Sequence, residues 1–259
     1  MKKKGRGPAA EVILVDIGNT HTHVAWANAA RIQNPIDLKT EDWFSRGGHR
    51  GMAGYIGSRK PAAIVVCSVV PKATRELTKF ARRWIYRVFE LNARTVASVG
   101  VDYPKPNSIG PDRLANAVAV RHRFGAPAVV VDFGTAVTFD VVNKRGDYVG
   151  GIIAPGLAAM TDYLHEKTAL LPRITIREIE GVIGKSTEHA MLIGAVHGYR
   201  GMVRELLGEL RQQLRAPRLP VVATGGYAEL VAAGLPEITA IEPNLTLEGL
   251  RLEWFNRDH

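Results

Sequence analysis

Two stretches of this chain share one plan. Residues 12–25 read VILVDIGNTHTHVA and residues 128–141 read AVVVDFGTAVTFDV. In each, an apolar run rich in β-branched residues ends at Asp-x-Gly, and a second strand-like run follows the turn. The copies lie 116 positions apart (132 − 16), close to half of the 259 residues. That period is far too long for a solenoid, and duplication of one α/β unit is the simplest account. The expectation is an α/β fold of two tandem domains, residues 11–115 and 116–259, preceded by a basic disordered tail over residues 1–10.

The elements between the copies fit this reading. PAAIVVCSVV (61–70) reads as a buried strand stopped by Pro71, and ATRELTKFARRWI (73–85) as an amphipathic helix. GPDRLANAVAVRHRFG (110–125) reads as a helix with a proline in its first turn, Asp112 at its positive end and Gly125 beyond its last turn. Thr187 to Leu214 has the spacing of a long helix, interrupted at Gly198 or Gly201. LPVVATGG (219–226) is a further buried strand, YAELVAAGL (227–235) a helix, and Asn244 to Phe255 a helical tail.

Composition removes several function classes. No run of about 18 apolar residues occurs, so no spanning helix or membrane role is expected. The short apolar run after Lys2, Lys3, Lys4 and Arg6 meets Asp16 and Asn19, which argues against an export signal. The single cysteine, Cys67, excludes an internal disulfide and a cysteine metal cluster, and reads as a small apolar residue in a buried strand. A reducing cytoplasm fits. The net charge of +9 comes without interleaved aromatics or a nucleic-acid motif, so no nucleic-acid partner is expected. A basic field that gathers anionic substrates explains it equally well.

Four motifs carry candidate chemistry. In Asp16-Ile17-Gly18-Asn19-Thr20, a carboxylate at a strand end precedes a glycine turn. Amide N–H groups and small hydroxyls there suit phosphate, and Asp16 suits Mg²⁺. The same residues also suit an Asx-type hairpin turn. The second copy, Asp132-Phe133-Gly134-Thr135-Ala136-Val137-Thr138, favours phosphate, with Thr135 and Thr138 as hydroxyl donors. At Gly110-Pro111-Asp112-Arg113, a carboxylate can take a proton while the guanidinium holds an anion; a stabilised helix start needs the same residues. Thr224-Gly225-Gly226 offers a flat backbone for adenine or ribose, or simply ends a strand. Gly184-Lys185-Ser186-Thr187 looks like the end of a P-loop, but position 179 is Ile where that motif requires glycine. The histidines show no metal-ligand pattern; His21 and His23 share one strand face.

Taken together, VDIGNTHT (15–22), CSVVP (67–71), GVDYPKPNSIGPDRLANAVA (100–119), VVVDFGTAVTFDVV (129–142), GGIIAPGL (150–157), GKSTEHA (184–190) and TGGYAELV (224–231) resemble the type III pantothenate kinases. These belong to the actin-like ATPase, acetate and sugar kinase, and Hsp70 superfamily. The resemblance implies two RNase H-like domains with a cleft between them, and a homodimer. It implies transfer of phosphate from ATP to pantothenate, giving 4′-phosphopantothenate, the first step of coenzyme A synthesis. It also implies Mg²⁺ and a monovalent cation, K⁺ or NH₄⁺. By motif, Asp112 would be the base. Tyr103, Gly110, Pro111, Arg113 and Thr187 would bind pantothenate. Asp16, Gly18, Asn19, Thr20, Thr135, Thr138, Gly225 and Gly226 would serve ATP. Asp16 would face Mg²⁺ and Asp132 the monovalent cation. One departure stands out: Leu192-Ile193-Gly194 replaces the family's Gln-Ser-Gly. The competing readings are another small-molecule kinase of the superfamily and a nucleotide-binding regulatory relative without catalysis.

Overall fold

The computed structural model describes residues 11–257; the expected tail over residues 1–10 lies outside them. In chain order the first elements are β1 (Val12–Ile17), β2 (His21–Ala27), β3 (Ile32–Lys39), α1 (Gly47–Ile56), β4 (Ile64–Ser68), α2 (Pro71–Arg83) and β5 (Val88–Glu90). Then come β6 (Gly100–Val101), α3 (Pro111–Phe124), β7 (Ala128–Phe133), β8 (Ala136–Val142), β9 (Asp147–Pro155) and α4 (Leu157–Lys167). The last are α5 (Thr187–Ile193), α6 (Tyr199–Leu214), β10 (Val221–Thr224), α7 (Ala228–Ala232), β11 (Ala240–Ile241) and α8 (Leu245–Phe255).

The chain forms two compact units. One runs up to Ala119 and takes back the C-terminal segment from Leu245; the other is Val120–Asn244. In the first, the strand order is β3-β2-β1-β4-β5. β1 pairs antiparallel with β2 and parallel with β4; β3 pairs antiparallel with β2, and β5 parallel with β4. In the second, β9-β8-β7-β10-β11 repeat this order with the same senses. The duplication legible in the two Asp-x-Gly segments is therefore a duplication of topology, in the RNase H-like order. β1 and β7 are central strands covered on both faces, which is why they read as unbroken apolar runs rather than alternating ones.

Each sheet is faced by helices that bury an apolar stripe. α2 lays Ala73, Leu77, Phe80 and Ala81 on the first sheet beside Trp43, Met52 and Ile56. It starts at Pro71, which occupies the first helical turn rather than merely ending the strand before it. α6 lays Tyr199, Val203, Leu207 and Leu210 on the second sheet. The interruption expected between Thr187 and Leu214 is a π-helical turn over Gly194–Gly198, and Gly201 lies within α6.

The expectation that residues 116–259 form one domain is corrected for α8, which belongs to the first unit. Its residues are buried on nearly every side, so it needs partners all round. At Gly249 it meets the carbonyl of Ala115 on α3, where an added Cβ would sit 1.9 Å from the oxygen. Thr246 Oγ1 donates to Asn116 Oδ1 at 2.9 Å. The fully buried Glu253 carboxylate accepts the backbone N–H groups of Ala97 and Ser98 at 2.9 and 3.0 Å. A buried carboxylate left without such donors is strongly destabilising, so α8 is fixed to this unit.

Two glycine-to-alanine substitutions should separate contact from propensity. Gly249→Ala forces α8 off Ala115 and should cost about 1–3 kcal/mol. Gly201→Ala, where a Cβ meets nothing within 4 Å, should be neutral or stabilise by up to about 1 kcal/mol. Thermal unfolding midpoints of the two variants should fall on opposite sides of, or at and below, the parent value; a Gly249→Ala protein as stable as the parent contradicts the close contact.

Candidate active site

In the first unit the site grows from the end of β1. Asp16 pairs in register with His23 on β2 and Cys67 on β4. After it, Gly18 N–H donates to the His21 carbonyl at 2.9 Å and closes the turn. The turn is held from behind by residues that the sequence did not single out. Thr40 Oγ1 donates to the Gly18 carbonyl at 2.7 Å, and Thr40 N–H to the Thr20 carbonyl at 3.0 Å. The Thr40 and Thr22 hydroxyls lie 3.0 Å apart, and Trp43 Nε1–H donates to Thr22 at 3.1 Å. This buried network fixes the backbone and leaves Asn19 and Thr20 exposed. Asn19 makes no side-chain hydrogen bond among the described residues, so its amide is open to a ligand.

Asp112 arrives from the first turn of α3. Its Oδ1 accepts the Arg113 N–H at 2.9 Å, and it folds back over Gly110, where a Cβ would sit 2.5 Å from that oxygen. Glycine at 110 therefore leaves room for the carboxylate in this position, and Pro111 suits the helix start. Asp16 and Asp112 are close enough to interact. Burial raises the Asp16 carboxyl to about 6, Asp112 adds to the rise, and His23 and the Cys67 thiol oppose it. Burial also raises Asp112, against the Arg113 N–H and guanidinium, which favour its charged form. Cys67 is more than a core residue: its S–H donates to Asp16 Oδ1 at 3.3 Å. Tyr103 follows β6 and is 37% exposed, while Arg113 is partly buried on α3. His23 bonds Asp37 at 2.6 Å, and its ring centre lies 6.3 Å from that of His21.

In the second unit Asp132 ends β7 between Thr138 on β8 and Thr224 on β10. Gly134 N–H donates to the Ala136 carbonyl at 3.1 Å, closing the turn as Gly18 does. Gly225 lies at φ +90°, and a Cβ there would stand 2.6 Å from Asp132 Oδ1. Gly226 has nothing within 4 Å of such a Cβ, so its surface is open. A Cβ at Gly156 would meet the carbonyl oxygens of Thr135 and Gly134 at 2.3 and 2.5 Å. Of the groups at this turn, the Asp132 carboxylate is an oxygen donor of the kind a hard cation takes. Among the described residues no group of three or more His, Cys, Asp or Glu is arranged to hold a metal. A divalent ion at Asp16 would take its other ligands from water and phosphate, as Mg²⁺ commonly does.

Thr187 joins neither cluster through a contact described here. It begins α5 beside an apolar cavity of about 750 Å³ lined by Met160, Tyr163, Leu164, Met191 and Gly194. The P-loop look-alike is a helix cap: Ser186 Oγ accepts the His189 N–H at 3.2 Å. Of the departure at 192–194, Leu192 is fully buried, so its apolar character serves packing, while Gly194 lines the cavity.

The family model of type III pantothenate kinase matches residues 12–209. A type III pantothenate kinase from Akkermansia muciniphila is 52% identical over 245 residues, covering 93% of this chain and 96% of that one. One from Methylacidiphilum infernorum is 47% identical, covering 93% and 87%. A solved structure from Campylobacter jejuni, described as a conserved Baf family transcriptional activator, superposes with a TM-score of 0.61 at 16% identity, covering 93% and 96%. At that identity the likeness is one of fold. Because the family model spans most of the chain and the relatives span nearly all of it, this chain belongs to the type III pantothenate kinase family.

Proposed function

We propose that the chain is an ATP-dependent kinase that phosphorylates pantothenate to 4′-phosphopantothenate, the first step of coenzyme A synthesis. Family membership supports the substrate. The observation that carries the chemistry is the pair of carboxylates, buried Asp16 and half-buried Asp112, placed by two elements far apart in sequence.

In this reading Asp112 accepts the proton of the attacking pantothenate hydroxyl. The new bond joins that oxygen to the γ-phosphorus of ATP, and the bond to the bridging oxygen of ADP breaks. Burial raises the Asp112 carboxyl, which brings its basicity nearer to that of a working base. Arg113, Tyr103, Gly110, Pro111 and Thr187 bind pantothenate. Asn19, Thr20 and the Gly18 backbone take phosphate oxygens, as do Thr135 and Thr138 in the second unit. Gly225 and Gly226 offer backbone to the nucleoside. A bound divalent cation supplies charge neutralisation on the phosphate chain, where most of the catalysis of phosphoryl transfer lies. Asp16 holds that cation, and Asp132 with the nearby carbonyls holds K⁺ or NH₄⁺. We further read the protein as a cytoplasmic homodimer. The exposed Met160, Tyr163 and Leu164 beside the apolar cavity support self-association. Among the described residues no helix is long and apolar enough to cross a membrane.

ADP release with ATP, Mg²⁺ and pantothenate tests the proposal. It should require pantothenate and either K⁺ or NH₄⁺, and should fall away with Na⁺ alone; no turnover in any of these salts, from folded protein that binds ATP, overturns it. Asp112→Asn should lower kcat by about 10²- to 10⁴-fold with ATP binding kept. Asp16→Ala should cost at least as much. A full-rate Asp112→Asn enzyme removes Asp112 as base.

The raised Asp16 carboxyl also predicts a pH dependence of stability. Its folded value of about 6 lies above the ordinary 3.8. Between these, the folded state keeps a proton that the unfolded state has lost, so stability declines as pH rises, and the whole loss is present above about pH 6. Asp16→Asn should therefore stabilise the metal-free, nucleotide-free protein at pH 8, by on the order of 2 kcal/mol. At pH 4 the gain should vanish. Unfolding midpoints in EDTA at both pH values check the sign; equal gains at both would reject it.

A further inference from the structure

α2 presents a feature that phosphoryl transfer at Asp16 and Asp112 does not use. With Ala73, Leu77, Phe80 and Ala81 turned to the core, Arg75, Lys79 and Arg82 fall at i, i+4 and i+7 and share one exposed stripe. The stripe runs about 10 Å along the helix axis. Thr74 and Thr78 form the adjoining row. Together with Ser68 and Pro71, these residues line a groove of about 510 Å³, with Glu90 as its one carboxylate.

Three like charges at this spacing repel one another, and Glu76 on the same helix and Glu90 in the groove offset them in part. Lys79 bonds Glu76 at 2.7 Å. The guanidinium groups of Arg75 and Arg82 make no ion pair or hydrogen bond among the described residues. The hydroxyls are tied up among themselves: Thr74 Oγ1 donates to Ser68 Oγ at 2.7 Å, and Thr78 Oγ1 to the Thr74 carbonyl at 2.9 Å. Their protons are committed within the protein, so contact with an anion falls to the cations of the stripe.

We propose that this groove binds a small molecule bearing two or more phosphates, at a site distinct from the phosphate-binding turn after Asp16. A ligand of that class satisfies both unpaired guanidinium groups, which favour bidentate phosphate contacts. It also relieves the repulsion along the stripe. A cavity of this size suits a small molecule. None of its lining side chains is aromatic, so it lacks the stacking platform by which single-stranded nucleic acid is held. Neither does the groove share a residue with the Gly18-Asn19-Thr20 turn. Ser68 adjoins Cys67, the thiol donor to Asp16, at the end of β4.

The probe is inorganic tripolyphosphate, titrated by calorimetry into the full-length protein without Mg²⁺, in parallel with sulfate at matched ionic strength. Arg75 and Arg82 are exposed on the helix surface, so Arg75→Gln/Arg82→Gln is expected to fold and to keep ATP and pantothenate turnover. The parent should bind tripolyphosphate at one site more than the double variant, or at least tenfold more tightly at that site, with sulfate unable to replace it. Equal stoichiometry and affinity in the two proteins overturns the proposal, as does equal competition by sulfate. It is equally overturned if the parent shows no added tripolyphosphate site while a single-stranded oligonucleotide binds it and not the variant. Because the readout is binding by the metal-free protein, it is independent of whether pantothenate is the substrate.

Discussion

A buried carboxylate is costly to keep ionised, and the first unit is arranged around one, Asp16. Asp16 closes β1 and Asp132 closes β7, at equivalent places in a repeated strand order. Burial disfavours the charged form of Asp16, and each of the two carboxylates has its own surroundings. Around Asp16 these are a thiol donor, a nearby imidazole and a turn whose backbone is pinned by Thr40. Around Asp132 they are a glycine that leaves room against its oxygen and threonines on the strands to either side.

The same economy of contact explains where glycine is indispensable. Gly110 leaves space for the Asp112 carboxylate, Gly225 for that of Asp132, and Gly249 for the carbonyl of Ala115. The first two shape the candidate site; the third docks α8 on α3. Half-buried helix glycines such as Gly201 and Gly208 meet nothing where a side chain would be. Sequence alone treats all of these alike.

Several elements resisted a reading from sequence for identifiable reasons. α1 carries Gly47, Gly48, Gly51 and Gly54 in ten residues, a composition that opposes helix formation. It forms because Met52 and Ile56 are buried and because Gly48 lies against the Trp43 ring. β3 contains Pro35 and an Asn34 at φ +48°, which is tolerable only because it is an edge strand. Cys67 looked like core, since its burial is written in the apolar run around it. Its bond to Asp16 depends on β4 lying beside β1, which no local pattern records.

What the sequence determined by itself was the repeated Asp-x-Gly plan, the strand and helix character of the segments around it, and the residues that carry the family resemblance. These are local signals: apolar runs, turn glycines and helix-start residues act over a few positions. Tertiary structure alone decided that α8 returns to the first unit, that Thr40 and Trp43 brace the first turn, and that Asp112 adds to the rise of Asp16. It also aligned the cations of α2 along a groove whose wall includes Ser68 and Glu90 from other strands. Each of these depends on which distant backbone lies alongside, and so on the packing of buried surface, which is a property of the folded chain and not of any one segment.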